Sequence, residues 1–329
     1  MDSQNLINPK WQPNYSKPFM LVDVSYTVFY KFYALKNWYV LAHKDIEITP
    51  EYVWCDNPDF VEKFKKLYME QLLKIAKKRK IPLTNIVFAI DCRQSEIWRH
   101  QYTTTYKATR AASHERQGFR DYGFFAIAKS VIKMFIEANN AATFYCPNAE
   151  ADDVICILTR YLRNNKNCME PIYIIASDTD YLQLCSSESP ILELLTMKGD
   201  LVISAYSDAI TQLISKILLG DTSDNISACH IITEKFPILA GKKTSLKITK
   251  SLLKQLLEDE ASRLLLLEQF QVNQVKFNKL NEEKRKIILE ELDDVLTVDG
   301  MMSKNQLIID FTAIPYDIVN KVIFDAETL

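Results

Sequence analysis

The sequence predicts an α/β protein with a mostly parallel central sheet and helices on both faces. Three observations carry that expectation. Short apolar runs, namely Phe19 to Val22, Ile86 to Ile90, Ala142 to Cys146 and Ile172 to Ala176, are continuous rather than alternating, as strands covered on both sides are. Segments with helical apolar spacing separate them, so strand and helix alternate along the chain. Several runs also stop at an acid: Asp23, Asp91 and, one residue further on, Asp178. A parallel sheet gathers its carboxyl ends on one rim, and ligands of such sheets bind there.

In chain order, residues 1–18 form a polar, proline-interrupted leader. After the first strand, Tyr26, Phe29, Tyr30, Phe32, Tyr33 and Leu35 suit a helix packed on it. Residues 43–58 read as a connection. Phe60 to Lys80 is an amphipathic helix, with Phe60, Phe64, Leu67, Leu72 and Ile75 on one stripe and lysines opposite. A further helix opens at Glu150. Ile191 to Leu195 and Leu201 to Ser204 flank Lys198-Gly199-Asp200 as a hairpin. Beyond Asn225 the chain reads as helices and turns, with a basic stretch from Lys242 to Lys254. The expected division is a leader at 1–18, a main domain at 19–225 and a helical region at 226–329.

With 329 residues the chain can bury a proper core, and 48% hydrophobic with 25% charged residues is ordinary for a globular protein. A net charge of -2 means that any basic face is local. Seven cysteines without a Cys-x-x-Cys pair, and an N-terminus without an apolar signal, lead us to expect reduced thiols in an intracellular protein. No apolar run approaches the ~18 residues needed to span a bilayer, so no membrane role is expected.

Between Glu150 and Asp224 the acids fall into three clusters on apolar supports. Glu150-Ala151-Asp152-Asp153 opens a helix, Ser177-Asp178-Thr179-Asp180 follows the fourth strand, and Gly220-Asp221-Thr222-Ser223-Asp224-Asn225 follows the helix-like Ile210 to Leu219. So many carboxylates at the edges of buried elements repel one another unless positive charge lies among them. A pair of divalent ions with oxygen ligands meets that need. Phosphodiester hydrolysis uses two such ions about 4 Å apart, one activating water and one stabilising the leaving oxygen. The scarcity of histidine, with His43, His100, His114 and His230, argues against a zinc site of imidazoles. Glu150 and Asp152 are two positions apart and do not share a helix face, so they converge when Glu150 lies in the turn before the helix. Taken singly, these acids could also be helix N-terminal charges, turn residues or N-caps.

A second constellation runs from Asp91 to Arg110, where Arg93, Arg99, His100, Lys107 and Arg110 interleave with Trp98, Tyr102 and Tyr106. Cations for phosphates and rings for bases would suit a nucleic-acid strand, and a solvated charged helix is the alternative. This string is similar to the arch segment of the bacterial and phage 5' nucleases, "Phe-Asp-x-Lys…Phe-Arg-His-x-x-Tyr…Tyr-Lys-x-x-Arg". Phe19 to Leu35 resembles their opening motif, and Glu150 to Asp153, Asp178 to Leu184 and Gly220 to Ile226 match the remaining motifs in order. The resemblance, over roughly residues 19–250, is to the flap endonuclease and 5'-3' exonuclease superfamily.

That resemblance implies a PIN-like nuclease domain with a helical arch, here 92–122, and a C-terminal helix-hairpin-helix-like module that binds duplex DNA. It implies Asp23, Asp91, Glu150 and Asp152 as ligands of a first metal, with Asp178 shared or adjacent. Asp180 and Asp224 would serve a second metal, with Asp153 and Asp221 as supporting acids. Mg2+ is the expected ion, with Mn2+ as a substitute. Arg93 and Arg99 are expected to steer the scissile phosphate, and Tyr106, Lys107 and Arg110 to contact DNA. Phe29 takes the place of a base-stacking tyrosine, with Tyr26 and Tyr30 as alternatives. Lys242, Lys243 and Lys247 are expected at the duplex. The family's Gly-x-x-Gly-x-Gly turn, which holds a K+ on backbone carbonyls, is replaced by Ser227 to Pro237, and Gly241-Lys242-Lys243-Thr244-Ser245 keeps its ending. Asp23 is followed by Val24 where a small residue is usual, and one residue is added near Glu96-Ile97.

The implied activity is structure-specific cleavage of branched or 5'-ended DNA in replication, repair or recombination, in nucleus or cytoplasm, with a large DNA virus as one suitable source. Alternatives are a nuclease-inactive DNA-binding scaffold and an RNA-directed 5'-3' exonuclease. A haloacid-dehalogenase-like phosphatase would need an acid where Ser25 stands. No Gln-x-x-Leu-x-x-Phe-Phe sliding-clamp motif is present near the C-terminus.

Overall fold

The computed structural model describes residues 11–44, 47–49, 51–110, 123–206, 208–239, 248–258, 260–267 and 270–328. They fall into two compact units. The first comprises residues 1–98, 112–204 and 314–329, and the second residues 99–111 and 205–313. The final helix thus belongs with the first unit, whereas the sequence division grouped all of 226–329.

The first unit is built on five parallel strands: β1 (Phe19–Asp23), β2 (Ile86–Ile90), β3 (Ala142–Tyr145), β4 (Ile172–Ile175) and β5 (Leu192–Leu195), in the order β3-β2-β1-β4-β5. Val22 lies beside Phe88 on one side and Ile175 on the other, so the ends of β1, β2 and β4 are level. The order runs outward from β1 to β3 on one side and from β4 to β5 on the other. The crevice between β1 and β4, where it reverses, is where such sheets present a binding site. Successive strand residues point to opposite faces. Met20, Val22, Phe88 and Ile175 therefore meet one helix layer, made of α1 (Val24–Ala42), α2 (Pro58–Lys78) and α3 (Gly123–Asn139). The opposite face is covered by α4 (Ala151–Asn164), against which the last helix packs. Burying each large side chain of this core, such as Phe60, Phe64 or Phe124, contributes about 2 kcal/mol.

Local chemistry sets the boundaries. Asn57 caps α2 by accepting from Phe60 N, and Pro58 suits the first helical position, so the helix starts two residues before the expected Phe60. In α1 the buried side chains are Val24, Thr27, Val28, Lys31, Phe32, Leu35 and Tyr39. Tyr26, Phe29, Tyr30 and Tyr33 are half-buried. Aromatic residues crowd every side of this helix, so its inward stripe was not readable from spacing. The leader from Trp11 onward is irregular but pinned: Trp11 Nε1 donates to Thr84 O, and the buried Asn85 amide donates to the carbonyls of Asn14, Lys17 and Pro18. The expected hairpin around Gly199 is present in shortened form. β5 joins the sheet in parallel beside β4, and its return arm shrinks to one antiparallel bridge, Leu195 with Leu201.

The second unit is helical among its described residues, with α5 (Ala209–Leu219), α6 (Ile231–Lys235), α7 (Lys250–Glu258), α8 (Glu260–Leu267), α9 (Gln274–Asn278), α10 (Glu282–Glu291) and α11 (Val298–Ile309). Its core gathers Leu218, Ile232, Leu239, Leu256, Phe270, Phe277 and Met301. The last helix of the chain, α12 (Tyr316–Thr328), returns to the first unit and packs on α4 and β3. No described helix is long and apolar enough to cross a membrane.

Candidate metal centre

Three of the five strands, β1, β2 and β4, deliver an acid to the rim. Asp23 closes β1 and caps α1, with Oδ1 accepting from Tyr26 N at 2.9 Å and Oδ2 accepting from Tyr181 Oη at 3.0 Å. Asp91 follows β2; its Oδ1 accepts from Ala151 N at 2.8 Å and its Oδ2 from the Ser25 hydroxyl. Asp178 follows β4 and caps the 3-10 turn Thr179–Leu184, accepting from Asp180 N at 3.0 Å. Two backbone bonds, Cys92 N to Ala149 O and Trp98 N to Asn148 O, stitch the chain after β2 to the loop before α4.

That loop sets the third acidic cluster. Asn148, at φ 66°, turns the chain so that Glu150 becomes the N-cap of α4 in extended backbone. The expected convergence follows, because Glu150 lies before the helix and Asp152 in its first turn. The ligand oxygens of Glu150, Asp152 and Asp153 all lie within 4.8 Å of one another. Asp153 is fully buried and its Oδ2 accepts from Trp98 Nε1 at 2.9 Å and from Glu150 N at 3.0 Å. It closes a capping box and holds the loop more than it offers oxygen to a ligand.

The electrostatics follow from this crowding. Burial first, and then the neighbouring carboxylate of Asp91, push Asp23 up to about 7, with Asp178 adding to the rise. Tyr181, completely buried, is pushed well above the usual phenol range by burial and by Asp23, Asp152, Asp91 and Asp178. Its hydroxyl is bonded to the carboxylate at the end of β1. Cys92 is raised by burial and then by Glu150, Asp91 and Asp153. Such a donor set, all oxygen and all carboxylate, fits hard divalent cations. Asp23, Asp91, Glu150, Asp152, Asp178 and Asp180 could supply the oxygens.

Asp221 and Asp224 belong to the second unit, where cations meet them. Asp221 closes its own loop: its Oδ1 accepts from Ser223 N and Oγ, and Oδ2 from Lys216 Nζ at 2.9 Å. Although burial alone would raise it, these partners hold it down to about 2. Asp224 is 3% exposed and is met by Tyr106 Oη, by Lys107 Nζ at 3.5 Å and by the Arg110 guanidinium. Tyr106, Lys107 and Arg110, expected at DNA, therefore pack around an acid expected at a metal.

The segment from Arg99 to Arg110 is an integral part of the second unit. Arg99 is 2% exposed and donates from Nε to Ile308 O at 2.8 Å. Arg99, expected to steer a phosphate, is thus a buried side chain whose Nε faces the fold. Arg93 keeps an exposed side chain, 3.9 Å from Glu96. Residues 92–110 contain short 3-10 turns, Gln94–Glu96 and Trp98–Gln101, while 111–122 of the expected arch lie outside the described residues. So do Lys242, Lys243, Lys247 and the rest of the segment Gly241 to Ser245. Phe29 is half-buried and edge-on to Phe125, with centroids 5.2 Å apart. Sequence reasoning missed Ser25 and Tyr181, and read Trp98 as a ring for bases where it donates to Asp153. Ser25 and Tyr181 each stand within two residues of a rim acid, the one signal that could have marked them.

An open parallel sheet with acids from several strands at its switch point defines the PIN-like α/β class. Residues 18–211, more than half of the chain, match the family described as 5'-3' exonuclease, N-terminal resolvase-like domain, and the chain belongs to that family. It is 26% identical over 207 residues to the Ribonuclease H of Enterobacteria phage T4, a match that spans 62% of this chain and 66% of that protein. The fold is similar to bacteriophage T5 flap endonuclease in a pseudo-enzyme–product complex with DNA and metal ions (TM-score 0.56, 14% identity, 95% of this chain and 99% of that one). It is also similar to T5 5'-exonuclease with bound zinc ions (TM-score 0.54, 14% identity, 94% and 98%).

Proposed function

We propose that the chain is a divalent-metal-dependent 5' nuclease that hydrolyses phosphodiesters of branched or 5'-ended DNA, as a flap endonuclease and 5'-3' exonuclease in replication, repair or recombination. The observation that carries this reading is the acidic rim itself: Asp23 and Asp91 at the ends of neighbouring strands, Asp91 bonded to Ala151 N in the first turn of α4, and the oxygens of Glu150, Asp152 and Asp153 within 4.8 Å of one another. Two Mg2+ ions, with Mn2+ as a substitute, would neutralise these acids and, when bound, supply activation of water and stabilisation of the leaving oxygen.

The chain's own residues do the positioning. Ser25 and the Ala151 amide orient Asp91, Tyr181 and the Tyr26 amide orient Asp23, and the Asp153 capping box fixes Glu150 beside Asp152. Ligand carboxylates held by such outer partners keep their geometry as charge changes at phosphorus. Arg93 is the exposed cation that would meet the phosphate.

The test offers matched 5'-flap DNA and RNA with Mg2+ to the wild type and to Asp178→Ala. Wild type should cut DNA near the junction of single and double strand. Asp178→Ala should lose about a thousandfold or more in rate while still binding substrate. Wild-type rates from the variant would refute the site. The name of the T4 relative favours a second reading, RNA-directed cleavage; preference for the RNA flap would establish it instead.

A further inference from the structure

Helix α2 carries more positive charge than its packing requires. Its buried stripe faces the core, while Lys74, Lys78 and the following Arg79 border the turn after β5. Between helix and turn lies a cleft of about 310 Å3. Lys31 from α1 and Lys198 from the turn complete its cationic rim, and Leu67, Ile75 and Met197 supply an apolar wall. Glu70 is the one carboxylate among these lining residues. Arg79 has a partner of its own, Glu193 at 3.3 Å, whereas no described carboxylate forms an ion pair with Lys74, Lys78 or Lys198.

Lys31 is the informative member. It is only 7% exposed, and its ammonium donates to Gln71 Oε1. Burial and the nearby Lys74 both lower its pKa, with Glu70 opposing them. An ammonium taken out of water and set against like charge is costly, and an anion in the cleft would relieve both penalties. The frame is well braced. Gln71 Nε2 donates to Met197 O at 2.6 Å, and Tyr26 Oη accepts from Met197 N at 3.2 Å. Gly199, at φ 79°, closes the turn with its N–H on Thr196 O at 2.8 Å. A tetrahedral dianion can accept from several ammonium groups at once, which suits lysine as a phosphate ligand. The volume and the apolar wall leave room for more than a bare ion.

We propose that this cleft is a phosphate-binding site, separate from the carboxylate rim, that takes the phosphate of a nucleotide, free or within a strand, with sugar or base against Leu67. The site does not depend on the metal centre, so it is tested in EDTA, where cleavage cannot intervene. Wild type, Lys31→Met, the double variant Lys74→Ala/Lys198→Ala and Asp178→Ala are titrated calorimetrically with inorganic phosphate, 5'-dAMP and a short single-stranded oligonucleotide at two salt concentrations. Wild type and Asp178→Ala should bind alike, more weakly at high salt, and the two lysine variants should lose about tenfold or more in affinity. A free nucleotide as occupant makes 5'-dAMP compete with the oligonucleotide on equal terms, whereas a strand makes the oligonucleotide bind tighter with the same dependence on the lysines. Absence of binding by wild type, or lysine variants that bind as wild type does, overturns the proposal. Lys74 and Lys198 are exposed, so their double variant decides the matter should Lys31→Met fail to fold.

Discussion

A carboxylate at the end of a buried strand is stable as an anion only while enough donors or cations face it. Asp23 has the Tyr26 amide and the Tyr181 hydroxyl, yet burial and Asp91 still outweigh them and lift it from 3.8 to about 7. The sign of the pH effect follows. The folded chain holds a proton on Asp23 that the unfolded chain releases, so this group favours folding at low pH and that contribution is lost as pH rises from about 4 through about 7. In EDTA, the melting temperature of wild type should therefore fall across that window more steeply than that of Asp23→Asn. Equal slopes would mean that Asp23 is not the group under strain. Tyr181→Phe removes one of the two donors without emptying the space. It should weaken Mn2+ affinity about tenfold, read by metal titration, since ligand-supporting partners are worth that much; unaltered affinity would leave the tyrosine a packing residue.

Among the elements, the short turns do the most exacting work. The loop Gly220 to Ile226 doubles back through Asp221 N to Ile226 O and Ile226 N to Asp221 O, at 2.9 and 2.8 Å. A Cβ on Gly220 would sit 2.3 Å from Ile226 O, and its φ of 69° disfavours any side chain. Gly220→Ala should cost about 3 kcal/mol, measured by denaturant unfolding, and a loss below about 1 kcal/mol would show that the loop can yield. Strand ends and the N-cap of α4 were legible in the chain because an acid that ends an apolar run is a one-dimensional pattern. The fates of Arg99 and Asp224 were not. Arg99 finds its acceptor at Ile308, 209 positions away, and Asp224 finds its cations at Lys107 and Arg110. No local spacing encodes such partners, so a basic aromatic string reads the same whether it grips a ligand or packs inside a fold.

At the scale of the molecule, each unit has its own core, and the two treat acids in opposite ways. In the first, burial and the neighbouring carboxylate of Asp91 lift Asp23 to about 7. The second surrounds Asp221 and Asp224 with lysine and arginine. Adding Mn2+ should thus slow amide hydrogen exchange at residues 21–25, 149–153 and 176–182. Exchange in 220–226 should change less, and the reverse pattern would shift the metal to the second unit. The parallel sheet and its rim were read correctly from the sequence, whereas the basic cleft beside α2 passed as a solvated lysine face because Lys31 and Lys198 join it from distant elements. Tyr26 gives that cleft a further significance. Its backbone amide holds Asp23, and its phenol oxygen holds the Met197 peptide that walls the cleft. One residue therefore links an anion's pocket to a cation's, and reciprocity requires that whatever filling one does to the affinity of the other be returned by the same factor.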